Sequence, residues 1–293
     1  MSEYVVAWVT GRGILKPTLV SLFSFLQNNN QDDHDVILFL DNKEDIELLK
    51  GYTKKLHWYN SKIETKLIDE STREYVPDVG YLPWQTNVRL ILPSLLEEYD
   101  KLLYLDYDTI VERNISTIFQ DYLTESHNIV AGVRTGPRVV SDVNKIPNYI
   151  NAGVLLINID EWVNKNVSTR TIDYLLENSP READNTAINV VLENKIEWLP
   201  PTFNYDTRYD PLHGAAMPHI RHYWGVWKPW HKYDTRGDAE HFLKYHQASG
   251  VGKIPQYRNS FILDFAEYMH NKLCDKTVFE NTYYSLKTML NGP

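Results

Sequence analysis

The sequence predicts an α/β fold with a mainly parallel central sheet and helices on both of its faces. Two observations carry this expectation. Short apolar runs alternate with stretches of helical periodicity through the first two thirds of the chain. In addition, the run Lys101-Leu102-Leu103-Tyr104-Leu105 ends in Asp106-Tyr107-Asp108. A buried strand would thus deliver two carboxylates, on one side of the chain, to its carboxyl end. That edge is where open α/β sheets bind ligands.

The elements follow in order. Residues 4–9 read as a first strand, and 36–40, 102–105, 129–133 and 153–157 as further strands. Between the first two, residues 17–27 place Leu19, Val20, Leu22, Phe23 and Leu26 at helical spacing. Pro17 suits a first helical turn. Residues 86–99 form a second helical candidate that Pro93 bends or breaks. Residues 184–193 form a third, with Asp184 as a candidate N-cap. Residues 202–230 are rich in His, Trp, Tyr, Gly and Pro without a period, and read as irregular structure covering a site. The tail, 239–293, is helical in part, with Phe261, Phe265, Tyr268 and Met269 on one face.

Composition narrows the function. Of 293 residues, 43% are apolar and 24% charged, as in ordinary globular proteins. The net charge of −9 gives no global field for nucleic acid, so no nucleic-acid partner is expected. Cys274 is the single cysteine, which excludes an internal disulfide and a thiolate zinc cluster. No stretch reaches the length of a transmembrane segment. The apolar start follows Glu3 rather than basic residues, and so reads as a strand, not as a signal peptide. These features lead to an expected location in the cytoplasm or on the cytoplasmic face of a membrane.

Five constellations carry chemistry. Asp106 and Asp108 are hard oxygen ligands suited to Mg²⁺ or Mn²⁺, and the Tyr107 backbone N–H between them could meet a bound group. His222-Tyr223-Trp224-Gly225-Val226-Trp227-Lys228-Pro229-Trp230 offers an imidazole to complete a metal sphere. In the same block Gly225 lets backbone approach a phosphate, and Lys228 supplies a point charge. Asn151-Ala152-Gly153 offers an amide to sugar hydroxyls and leaves room for a ring. Asp184 and Asn185 open a helix and could grip hydroxyls, and Arg89 fits either a phosphate contact or an ion pair. Taken singly, each has an ordinary reading as a turn, a cap or a solvated side chain. Taken together, the acid pair and the histidine block read as one site. There is no nucleotide-binding P-loop, and Gly11-Arg12-Gly13 does not complete a dinucleotide fingerprint.

In this order, the blocks resemble glycosyltransferase family 8, the group of glycogenin and the bacterial lipopolysaccharide galactosyl- and glucosyltransferases. The blocks are residues 99–111, Asn151-Ala152-Gly153-Val154, Asp184-Asn185-Thr186-Ala187-Ile188-Asn189 and His222 through Trp230, and the likeness spans about residues 4–232. The resemblance implies a GT-A (Rossmann-like) catalytic domain over 1–235, with a helical C-terminal extension over 236–293 packed on it. It implies a retaining transferase that moves glucose or galactose from a UDP-sugar donor to a glycan, glycolipid or protein acceptor. It also implies Mn²⁺, or Mg²⁺, held by Asp106, Asp108 and His222. Gly225 and Lys228 match diphosphate contacts. Arg89, Asn151, Ala152 and Asp184 match positions around the donor sugar. Trp8 and Thr10 fall where the first loop holds the nucleoside, and Tyr107 joins the donor-binding set. Asp184, Asn185 and Lys228 match the catalytic positions.

Two departures stand out. Asn185 replaces the usual Gln, and Gly11, Arg12 and Ile14 replace a first-loop Asn, Asp and Tyr, which loosens the expected nucleotide preference. Other readings of the same residues are a glycogenin-like self-glucosylating protein, a sugar-nucleotide pyrophosphorylase and an inactive sugar-binding module. A homodimer is a candidate assembly.

Overall fold

A computed structural model describes residues 3–11, 13–56, 59, 61–79, 83–124, 127–135, 146, 149–206, 217–225, 228–231 and 238–254. Its centre is a seven-stranded sheet built from β1 (Tyr4–Thr10), β2 (Asp35–Leu40), β3 (Lys62–Leu67), β4 (Lys101–Leu105), β6 (Val130–Arg134), β7 (Ile150–Asn158) and β8 (Ile196–Trp198). The spatial order is β3-β2-β1-β4-β7-β6-β8. Only β7 runs against its neighbours; the β1–β2, β2–β3, β1–β4 and β6–β8 pairings are parallel. A second, three-stranded sheet joins β5 (Thr109–Val111), β10 (Ile220–His222) and β9 (Tyr205–Asp206) in that order.

The central strands are near-continuous apolar runs because helices cover both faces. Val6, Trp8, Leu38, Leu103 and Leu156 point to one side, into a core shared with α1 (Leu15–Asn28) and α2 (Glu44–Thr53). Val5, Ala7, Ile37, Leu102, Leu155 and Ile157 point to the other. There they meet Ile159 and Trp162 of α5 (Ile159–Asn164), Ile172 and Leu175 of α6 (Val167–Asn178) and Ala187 and Ile188 of α7 (Ala183–Val191). Three further helices are α3 (Glu70–Tyr75), α4 (Thr117–Asp121) and α8 (Ala239–Ser249). Phe242 and Tyr245 of α8 join the α1 side of the core, and the Tyr245 hydroxyl accepts from Asn28 Nδ2 at 2.9 Å.

Several expectations are corrected. Residues 86–99 do not make an α-helix but two 3₁₀ segments, Trp84–Leu90 and Leu92–Leu95. Pro93 has no N–H to give an α-helix, and Arg89 Nε donates to the Thr86 carbonyl at 2.9 Å. Asp184 is not an N-cap: it lies inside α7, after Glu182 and Ala183, with its carboxylate directed elsewhere. The stretch 202–230 is not wholly irregular, since it contains β9 and β10. β10 is three residues long and buried on both faces, so it shows no period. The sheet edges β3 and β8 escaped detection because edge strands carry charge and exposure in place of an apolar run. The expected domain boundary at 235 and the apolar face of the tail at Phe261, Phe265, Tyr268 and Met269 lie outside the described residues.

Candidate active site

The site forms where the two sheets meet. The ladder between β4 and β7 runs on to Asp106, whose N–H donates to the Gly153 carbonyl at 2.8 Å. The chain then turns into β5. Thr109 Oγ1 donates to the Asp106 carbonyl at 2.8 Å and closes that turn. β10 pairs with β5 so that His222 lies opposite Thr109, and the Tyr223 N–H donates to the Asp108 carbonyl at 3.0 Å. Sheet register therefore carries His222 to the acid pair across 114 residues of sequence (222 minus 108).

The ligating atoms of Asp106, Asp108 and His222 all lie within 4.8 Å of one another. His222 Nε2 is 3.2 Å from Asp108 Oδ1 and 3.8 Å from Asp106 Oδ2. Both His222 Nε2 and Asp108 Oδ1 are buried without a hydrogen-bond partner. Adjacent ligands about 2.1 Å from an octahedral cation sit about 3 Å apart. The spacing, the mixed carboxylate and imidazole set and the two unbonded acceptor atoms all fit a divalent cation.

Charge balance around the site is tight. Arg89, only 4% exposed, spans three partners besides the Thr86 carbonyl. Its Nη2 lies 2.9 Å from Asp106 Oδ1, its Nε 3.1 Å from Asp184 Oδ2, and its Nη1 donates to the Ala152 carbonyl at 2.6 Å. Tyr104 donates to Asp106 Oδ1 at 2.8 Å, with its ring under the guanidinium. Lys228 Nζ contacts Asp108 Oδ2 and donates to the Tyr223 carbonyl at 3.0 Å. Burial pushes the Asp108 carboxyl up, but the Lys228 ammonium, with the His222 ring beside it, outweighs this and holds it well below the usual range. Burial also raises Asp184, to about 6, against the pull of Arg89. For Arg89 the burial cost is outweighed by Asp106 and Asp184, which hold its pKa above the ordinary value. Among the described residues, three carboxylates face two permanent cations, a balance that favours further positive charge.

Gly153 departs from the sequence reading. The room it leaves goes to protein: a Cβ there would lie 2.1 Å from His222 Cε1 and 2.7 Å from Asp106 Oδ2. Asn151 Oδ1 accepts from the Gly153 N–H at 2.9 Å, and Ala152 is fully buried. Asn185 Oδ1 accepts from the Ala152 N–H at 2.8 Å. Gly225 has φ +92 with open space around it, a backbone state reserved for glycine. The Tyr107 ring lies 5.3 Å from Lys228 Nζ and meets Trp230 at a tilt.

Trp8 has a role beyond the sequence reading. Its side chain is fully buried, and Nε1 donates to Ser21 Oγ at 3.0 Å. Ser21 Oγ meets Thr109 Oγ1 at 2.8 Å. Because Thr109 gives its proton to the Asp106 carbonyl, Ser21 donates to Thr109. The indole thus supports the acid-pair turn. Thr10 Oγ1 meets Thr18 Oγ1 at 2.8 Å. Ser21 and Thr109 were not legible in the sequence, because single hydroxyls in apolar or turn-rich stretches carry no spacing signal.

Comparison with known proteins agrees with this architecture. Residues 2–234 match the model of glycosyl transferase family 8. The lipopolysaccharide 1,2-glucosyltransferase of Escherichia coli is 24% identical, over 96% of this chain and 89% of that protein. The lipopolysaccharide 1,3-galactosyltransferase of Salmonella typhimurium is 25% identical, over 83% and 77%. The structure of galactosyltransferase LgtC, solved with donor and acceptor sugar analogs, superposes with a TM-score of 0.69 at 21% identity, over 83% of this chain and 95% of that one. That likeness shows the GT-A fold. With a family match over most of its length and the acid pair at the expected strand end, the chain belongs to glycosyltransferase family 8.

Proposed function

We propose that this glycosyltransferase moves a glucose or galactose from a UDP-sugar to an acceptor hydroxyl, with retention of configuration and with dependence on Mn²⁺ or Mg²⁺. The observation that carries the metal reading is the pair of buried, unbonded acceptor atoms, His222 Nε2 and Asp108 Oδ1, 3.2 Å apart beside Asp106. A divalent cation held by Asp106, Asp108 and His222 would supply Lewis-acid stabilisation of the departing diphosphate. Lys228 adds a positive charge beside it, and Gly225 lets backbone N–H groups approach the phosphates. Arg89 holds the Asp106 and Asp184 carboxylates in place. Asp184 and the Asn151 amide line the donor sugar.

Retention is supported by what the side chains are already doing. Asn185 spends its carbonyl oxygen on the Ala152 N–H, and Asp184 is paired with Arg89. The route proposed is therefore attack on the leaving-group face, with the acceptor hydroxyl's proton passing to the departing phosphate oxygen. In this scheme Asn185 positions rather than attacks. The relatives' names point to a glycan or glycolipid acceptor of lipopolysaccharide type. Among the described residues no helix is long and apolar enough to cross a membrane, and a single cysteine fits a reducing, cytoplasmic setting.

The test is UDP release from a panel of UDP-sugars with Mn²⁺, for the wild type and for Asp108→Ala. One UDP-hexose should be turned over by the wild type, with loss of activity on chelation and in the variant. Wild-type turnover by Asp108→Ala, or turnover indifferent to chelation, contradicts the reading.

A further inference from the structure

We propose that Asn204 is a positioning residue that fixes the tautomer of His222 and ties this imidazole to Asn151. The proposal rests on the metal reading of Asp106, Asp108 and His222 only for its consequence, not for the hydrogen-bond chain itself.

The chain starts from backbone. The Gly153 N–H can only donate, and it donates to Asn151 Oδ1 at 2.9 Å. The atom facing it is therefore the Asn151 oxygen, not its nitrogen. Asn204 approaches that oxygen at 3.1 Å and the Asn151 carbonyl at 3.4 Å. Two acceptors demand a donor, so the Asn204 nitrogen faces Asn151 and its Oδ1 faces away. That Oδ1 lies 2.8 Å from His222 Nδ1. An amide oxygen only accepts, so a proton sits on Nδ1, and in the neutral ring Nε2 carries its lone pair toward Asp106 and Asp108. Every orientation is thus dictated by one peptide N–H in β7, with no free choice of amide flip.

Burial makes the arrangement stiff. Asn204 is 6% exposed and His222 1%. Asn204 sits where the 3₁₀ turn Pro201–Phe203 ends and β9 begins, so its backbone is pinned on both sides. Outer-shell partners of this kind set the ring orientation of a ligating histidine, and their loss costs roughly 10–100-fold in metal affinity. The link to Asn151 adds a coupling: the imidazole that faces the acid pair and the amide assigned to the donor sugar share one side chain.

Two substitutions separate the halves of the relay. Asn204→Asp keeps an acceptor for His222 Nδ1–H and loses the donor to Asn151. Asn204→Leu loses both. Nitrogen-15 ring shifts of the metal-free protein, with the His222 signal assigned by its loss in His222→Gln, read the tautomer directly. The wild type and Asn204→Asp should show the Nδ1–H form, and Asn204→Leu a shift toward Nε2–H. Free Mn²⁺ followed by electron paramagnetic resonance should show affinity within a few-fold of wild type for Asn204→Asp, and about 10–100-fold weaker for Asn204→Leu. The KM for the UDP-sugar should rise in both variants.

A wild-type ring in the Nε2–H form overturns the proposal. So does an Asn204→Leu protein whose tautomer and Mn²⁺ affinity both match wild type. If Asn204→Leu fails to fold, a loss of the Nδ1–H form in Asn204→Asp overturns it instead. A wild type in the Nδ1–H form that binds no Mn²⁺ leaves the relay standing and removes the metal reading.

Discussion

Gly153→Ala is the sharpest probe of how the site is packed. The added Cβ would lie 2.1 Å from His222 Cε1, 2.8 Å from His222 Nδ1 and 2.7 Å from Asp106 Oδ2. Carbon atoms rest about 3.5–4.0 Å apart, so the imidazole must retreat by more than about 1 Å. The backbone at residue 153 cannot yield instead. Its carbonyl accepts from Asp106 and its N–H is bound by Asn151. A retreating ring loses its 2.8 Å contact with Asn204 and its place opposite Asp108. Overpacking of a tight core costs about 1–3 kcal/mol, and a lost buried hydrogen bond about 1 kcal/mol more, so about 2–4 kcal/mol of stability should go.

Function should suffer more than stability, since a misplacement of about 1 Å at a catalytic group can cost about 100-fold. Urea unfolding and UDP release would be measured for wild type, Gly153→Ala, His222→Ala and the double variant. Removing the ring removes most of the clash. Gly153→Ala should therefore cost at least about 1 kcal/mol less in the His222→Ala background. An alanine tolerated at wild-type stability and turnover, or a cost unchanged when the ring is gone, refutes the packing argument.

Three further outcomes follow from single features. Asp184 has its pKa raised by burial to about 6, from about 3.9 when unfolded. The folded chain therefore holds the proton more tightly. Stability should fall as pH rises from about 4 to about 6, by about 3 kcal/mol at this group. Asp184→Asn removes that titration, so the wild-type minus variant stability difference should decline across this window; a flat difference in urea midpoints from pH about 4 to about 7 rules it out. Gly225→Ala meets no neighbour yet forces a side chain onto φ +92. It should destabilise by about 1–2 kcal/mol through backbone alone, and calorimetry showing no loss would be decisive against it. Gly51 in α2 also has open space but a helical backbone. Gly51→Ala should accordingly raise stability by up to about 1 kcal/mol, and a drop in melting temperature contradicts that reading.

Residues 4–9 and 102–105 declared themselves as strands because helices cover both faces of the central sheet, which leaves its strands uniformly apolar. Asp106 and Asp108 followed from their place at the carboxyl end of such a strand, and His222 and Lys228 from their block of aromatic, glycine and proline residues. The tertiary structure alone decided how these groups are held. Arg89, on a 3₁₀ segment where an α-helix was expected, became the hub of two carboxylates. Trp8 proved to brace the acid turn through Ser21 and Thr109. Gly153 proved to leave room for the His222 imidazole. Linear patterns record periodicity and local turns, and they pick out candidate groups for chemistry. The orientation of those groups is set by hydrogen bonds between strands far apart in sequence, and such partners leave no trace in spacing.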